Sequence, residues 1–149
     1  MECVIVEAEV RPTESVDKVK KAILNVFTPD SLEVVDAGGG YRRVIARAST
    51  LMSLVKLHDL LRRERILDAA RSHLLRGVYA GTLVFKVNKQ AAFMGRVSFI
   101  DADTESPMGP IVFTILAGNP KEIVDWLTPP TRAGTPLYEK PIPQAACQP

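Results

Sequence analysis

Leu32-Glu33-Val34-Val35-Asp36-Ala37-Gly38-Gly39-Gly40-Tyr41-Arg42-Arg43-Val44-Ile45-Ala46-Arg47-Ala48 is the stretch whose reading decides the fold. Residues 32–36 and 41–48 have the β-branched content of strands, and three glycines stand between them. Strands this close in the chain can pair only antiparallel, because a parallel pair needs a crossover of a dozen or more residues. A triple glycine also invites a phosphate-loop reading. That motif needs a Gly-Lys-Ser/Thr ending and a helix after it, whereas a strand comes next here. The glycines therefore read as the turn of a hairpin.

Toward the N-terminus, residues 2–11 alternate. Val4, Val6, Ala8 and Val10 fall on one side and Glu7, Glu9 and Arg11 on the other, the pattern of a half-buried strand. Thr13 or Ser15 then caps a helix in which Val16, Val19, Ile23 and Val26/Phe27 recur at helical spacing, and Pro29 stops it. Toward the C-terminus, residues 50–76 hold no Gly or Pro and read as helical. Leu51, Leu54, Val55, His58 and Leu61 form one apolar seam, and Ile66, Leu67, Ala70 and Leu74 another. The seams do not align on one straight rod, which predicts two helices with a break near residues 62–65 and Gly77 as the final cap.

Residues 82–87 alternate again, with Leu83, Phe85 and Val87 on one face. Asn88 caps a single turn that Gly95 ends. Residues 96–100 read as a fifth strand, 101–109 as a polar loop, and 111–117 as a sixth strand apolar enough to be central. Asn119-Pro120 opens a last helix packed by Ile123, Val124, Trp126 and Leu127. The order β-α-β-β-α-α-β-β-β-α has more hairpins than βα units. It predicts an α+β fold, a largely antiparallel sheet with helices packed on one face. Residues 1–128 make a single domain. Residues 129–149 hold six of the eleven prolines and form a C-terminal tail, too poor in apolar residues for a core and extended or disordered beyond Tyr138.

Composition bounds the function. A chain of 149 residues buries enough surface to fold without a disulfide or metal. No membrane span or signal segment is apparent, so a cytoplasmic location is expected. Cys3 and Cys147 have no Cys or His at metal-ligand spacing, and two free thiols are expected over a disulfide between them. Few Asn (3) and Gln (3), with Arg (11) above Lys (8), lean toward a thermophile. The net charge of +2 is small, but it is unevenly spread. Residues 56–96 carry 9 basic and 3 acidic side chains, while the flanking segments are slightly acidic. Local charge decides what a surface attracts.

This basic island supplies the candidate site. Arg62, Arg63, Arg65, Arg71 and Arg76 would grip phosphates through their guanidinium forks, and Lys86, Lys89 and Arg96 would extend the surface. Asn88 and Gln90 would add contacts to sugar or base edges. The competing reading is a solvated helix face, with Asp59 pairing Arg62 or Arg63 and Asp68 pairing Arg65 or Arg71. Aromatic residues are sparse near the island, so stacking on single strands is weakly supported. No serine sits in a nucleophile elbow, His58 and His73 have no zincin partner, and no small-molecule cofactor is called for. Asp101, Asp103 and Glu105 could hold Mg²⁺ in a metal-dependent enzyme, though an acidic surface loop is the default.

Four stretches carry a family resemblance: Arg65-Ile66-Leu67-Asp68-Ala69-Ala70-Arg71, Asn88-Lys89-Gln90-Ala91-Ala92, Gly109-Pro110-Ile111 and Asp125-Trp126-Leu127-Thr128-Pro129. In this order and spacing, across about residues 2–139, the chain resembles an archaeal family of uncharacterised proteins labelled as a predicted RNA-binding domain. The resemblance implies a fold like that of ribosomal protein L-five and brings no catalytic residues with it. The leading expectation is a non-enzymatic domain that binds structured rather than single-stranded RNA. The alternative is a protein-interaction or homodimerisation module using open sheet edges and the tail.

Overall fold

The computed structural model describes residues 3–143. The hairpin is present: β2 (Ser31–Gly38) pairs antiparallel with β3 (Tyr41–Ala48), with Val34 opposite Val44. Gly38, Gly39 and Gly40 all take positive φ (86°, 64° and 83°), a region that strains any residue with a Cβ, so the turn needs its glycines. Asp36 Oδ1 accepts from Gly38 N at 2.7 Å and closes the turn.

The sheet grows outward from that hairpin. β1 (Val4–Val10) lies between β3 and β7 (Pro110–Leu116), placing Val6 beside both Ala46 and Phe113. β7 pairs with β5 (Thr82–Asn88), and two-residue strands β4 (Val78–Tyr79) and β6 (Phe99–Ile100) line the far edge of β5. All of these pairings are antiparallel, in the order β2-β3-β1-β7-β5-β4. The expected fifth strand is thus reduced to two residues, and β4 was not anticipated.

Among the described residues, five α-helices cover one face: α1 (Val16–Val26), α2 (Val55–Arg63), α3 (Leu67–Arg76), α4 (Lys89–Phe93) and α5 (Pro120–Leu127). Ser15 Oγ caps α1 by accepting from Lys18 N. The break between α2 and α3 falls where the unaligned seams placed it, with Arg65 in the left-handed region at φ 57°. The core is the dry face of the sheet against these helices. Phe85 stacks on Phe113 at 4.7 Å between centroids, and Phe27 meets Phe113 edge-on at 6.0 Å. The opposite sheet face carries cross-strand charge pairs, Arg43 with Glu7 and Arg47 with Glu33.

Residues 129–143 are seated on the domain, and the part beyond Tyr138 has no regular secondary structure but is held by side-chain contacts. Thr131–Arg132 (β8) and Thr135–Pro136 (β9) form a small antiparallel ladder. The Arg62 guanidinium then clamps the segment: it donates to Glu139 Oε1 (2.6 Å) and Oε2 (2.8 Å) and to the carbonyls of His58, Leu127 and Trp126. The last two carbonyls lie at the C-terminal end of α5, where the helix leaves acceptors without intrahelical donors. Ile142 packs against the core. Cys3 is disulfide-bonded rather than a free thiol. Cys147, the other cysteine of the sequence, lies outside the described residues, as does the end of the tail from 144.

Arg62→Ala is expected to cost about 2–4 kcal/mol in urea unfolding, because it deletes charged hydrogen bonds to several acceptors at once. The hydrogen bond from Arg62, chiefly, holds the Glu139 carboxyl below its ordinary value of 4.5. Its stabilisation of the docked segment is therefore complete above that pH and is lost as pH falls through the depressed folded value. Limited proteolysis should show cleavage within 129–143 rising only in that acid range, and Glu139→Gln should abolish the pH dependence.

Candidate nucleic-acid interface

The structure divides the basic island into two populations. The first is internally engaged. Arg62 is the tail clamp described above. Arg71 donates to Thr128 O at 2.7 Å and lies 2.9 Å from Asp125 Oδ1. That carboxylate oxygen is buried without a directed hydrogen bond, so charge alone holds the pair. Arg76 bonds both carboxylate oxygens of Asp101 (3.2 and 3.4 Å), and Lys86 bonds Asp103 at 2.6 Å. The Arg76 hydrogen bond is the main reason the Asp101 carboxyl titrates below its ordinary value. Exposed pairs of this kind are weak, but they cancel the local charge and with it the long-range pull on phosphate.

The acidic loop is thus the counter-charge of the island. Glu105 Oε2 accepts from Asp101 N at 2.9 Å. Among the described residues, no group of three Asp, Glu, His or Cys side chains is arranged to hold a metal ion. The helical pairings expected for the aspartates are also replaced. Asp59 lies 3.0 Å from His58 Nδ1, and Asp68 accepts from Thr131.

Lys89, read from the sequence as a surface contact, is only 4% exposed. Its ammonium donates to Glu9 O (2.7 Å), to Met108 O and to both Glu14 carboxylate oxygens (3.1 Å each). It joins the end of β1, the approach to α1 and the end of the acidic loop. Burial, the dominant cause, pushes its pKa below the ordinary lysine value, and Glu14 opposes that push. Asn88 is likewise structural: Oδ1 accepts from Ala91 N at 2.8 Å and caps α4.

The second population faces solvent. Arg63, Arg65 and Arg96 are exposed, and among the described residues their side chains have no ion pair or hydrogen bond. The fold brings their backbone together: Glu64 Oε2 accepts from Val97 N at 2.9 Å, strapping the end of α2 to the loop after α4. Arg63 lines a shallow depression with Asn25, Lys56, Asp59, Leu60 and Gly95, which extends the cluster toward α1.

Sequence reasoning missed the lysines of α1 and α2. Lys18 and Lys21 lie on the flank of α1 facing α4, Lys21 with its ammonium 5.2 Å from the Phe93 ring centroid. Lys56 donates to Leu24 O at 2.9 Å. Asn25 ties α1 to α4 through the carbonyls of Ala92 (2.9 Å) and Phe93 (3.1 Å). The spacing 18, 21, 25 on one helix face was the available signal. It was hidden because those lysines sit in a segment whose summed charge is slightly negative. Gln90 is exposed on α4 beside them. The surviving positive face therefore spans α1, α4 and the end of α2.

Lys89→Met should destabilise the fold by about 3–5 kcal/mol in denaturant titration, because it leaves the largely buried Glu14 carboxylate without its counter-charge, held only by the Arg11 backbone N–H. Adding Glu14→Leu should recover most of that loss.

A family model described as RNA binding matches residues 3–116. A UPF0201 protein of Metallosphaera sedula is 46% identical over 141 residues, covering 95% of this chain and 97% of its own length. One from Saccharolobus solfataricus is 49% identical over 140 residues, covering 94% and 96%. The crystal structure of a UPF0201 protein from Methanococcus jannaschii matches with a TM-score of 0.81 at 38% identity, over 93% of this chain and all of that one.

Proposed function

We propose that this chain, which belongs to the archaeal UPF0201 family, is a non-enzymatic domain that binds structured RNA on the α1–α4–α2 face. The observation that carries this reading is that Arg63, Arg65 and Arg96, exposed and without an ion pair among the described residues, are anchored around the Glu64–Val97 strap, three guanidinium groups to the one Glu64 carboxylate. Lys18, Lys21 and Lys56 continue the positive surface along the helix layer. Guanidinium forks engage phosphate oxygens bidentately and fix register without reading sequence. The description of the matching family model, RNA binding, points the same way.

The preference for structured RNA rests on aromatic placement. Phe85, the aromatic residue within the island's strand, is buried against Phe113, and the exposed sheet tyrosines Tyr41 and Tyr79 lie on strands β3 and β4, which the sheet order places far apart, so a run of single-stranded bases has no continuous stacking row. Binding is then dominated by phosphate contacts and falls steeply with salt. No helix among the described residues is long and apolar enough to cross a membrane.

The test is titration of an RNA hairpin across a salt series. Arg63→Ala, Arg65→Ala and Arg96→Ala together should weaken binding at least tenfold and flatten the salt slope by about 2–3, roughly one for each phosphate no longer gripped. Arg76→Ala with Lys86→Ala should change affinity less than twofold. A triple variant that binds like the unaltered protein would remove the proposed face.

A further inference from the structure

Between α1 and α4 the surface sinks into an open hollow of about 390 Å³. Val19, Ala22, Phe93 and Met108 give it an apolar floor, and Met94, 71% exposed, stands at its edge. The end formed by Glu14 and Lys89 is electrically closed, because those two groups neutralise each other. Lys18 and Gln90 supply the remaining polar atoms of the lining, and Lys21 borders it over the Phe93 ring. A concave apolar surface with a few placed polar groups is the usual form of a small-ligand site.

The charge around the hollow restricts what can enter. Its unneutralised lining charge is Lys18, and in the adjoining helix layer the positive charges of Lys21, Lys56 and Arg63 outnumber the carboxylate of Asp59. The matching occupant has a flat, largely apolar body and an anionic chain leaving it in both directions. An unstacked nucleobase with its flanking phosphates has that form, and bases of this kind are splayed out of structured RNA at bulges and loops.

We propose that the α1–α4 hollow accepts one bulged nucleobase of a structured RNA. The base lies against Phe93 and Met94, the Gln90 amide meets its edge, and Lys18 and Lys21 hold the phosphates on either side. This rests on the RNA-binding reading and adds a discriminating element to it. Phosphate contacts alone cannot distinguish a bulged hairpin from a fully paired one, whereas the hollow can.

The experiment uses the full chain and two RNA hairpins that differ by one bulged nucleotide, 2-aminopurine. The bulged hairpin should bind about tenfold tighter than the paired one, since placing a base against an aromatic ring contributes on that scale. The 2-aminopurine fluorescence should change on binding. Gln90→Ala with Met94→Ala, both exposed side chains, should bring the ratio of the two affinities to about one. Equal binding of both hairpins with unchanged fluorescence overturns the hollow and leaves the RNA reading standing. A bulge preference that survives in the double variant also overturns it, because the base then sits elsewhere. Failure to bind either hairpin at low salt overturns both readings.

Discussion

The sheet has one dry face, and everything polar in the helix layer has to be arranged around that fact. Val4, Val6, Ala8 and Val10 on the central strand share their face with Ala46, Phe85, Phe113 and Ile115, and the helices remove that face from water. The helix ends and loops that close over it bring carbonyls into places where water is scarce. Cations fill those places. Arg62 meets the end of α5, Lys89 meets the carbonyls of Glu9 and Met108, and each brings a carboxylate with it, Glu139 and Glu14. A buried or half-buried charge is tolerable only when its donors are met in this way.

That constraint explains why a count of positive residues misdescribes the surface. Half-buried guanidinium and ammonium groups serve the fold, while the exposed side chains of Arg63, Arg65 and Arg96 have no ion pair or hydrogen bond among the described residues. The acidic loop has the complementary role. Asp101 and Asp103 neutralise Arg76 and Lys86 at the far edge of the sheet, which concentrates the remaining positive charge on the other side of the helix layer. Cys3, bonded and almost fully buried, adds a covalent tie just before β1.

Most of the fold was legible because it was written in local periods. The triple glycine marked the hairpin, period-two alternation marked β1 and β5, and two misaligned seams marked the break at Arg65. Strand β4 escaped because two residues cannot display an alternation, and the strand expected over 96–100 is shortened to β6. β8 and β9 escaped because proline content argued against ordered pairing there. The site was far less legible, since its decisive interactions are non-local. Arg62 and Glu139 are 77 positions apart, Lys89 and Glu14 are 75, and Arg76 and Asp101 are 25. Local spacing proposed Asp59 and Asp68 as partners instead, and Lys18 and Lys21 were obscured by nearby acids in the chain. The basic segment was legible as a run of charge, but spacing could not show which of its members face outward.

The central claim is that the island's cations are separated into structural and available sets. Arginine side-chain NMR resonances, followed while a hairpin RNA is added, test it most directly. The Nε–H signals of Arg63, Arg65 and Arg96 should shift together with backbone amides of α1 and α4, while those of Arg62 and Arg71 stay in place. Shifts centred on Arg76 and the acidic loop, or on the open face of the sheet at Arg43 and Arg47, would contradict the account.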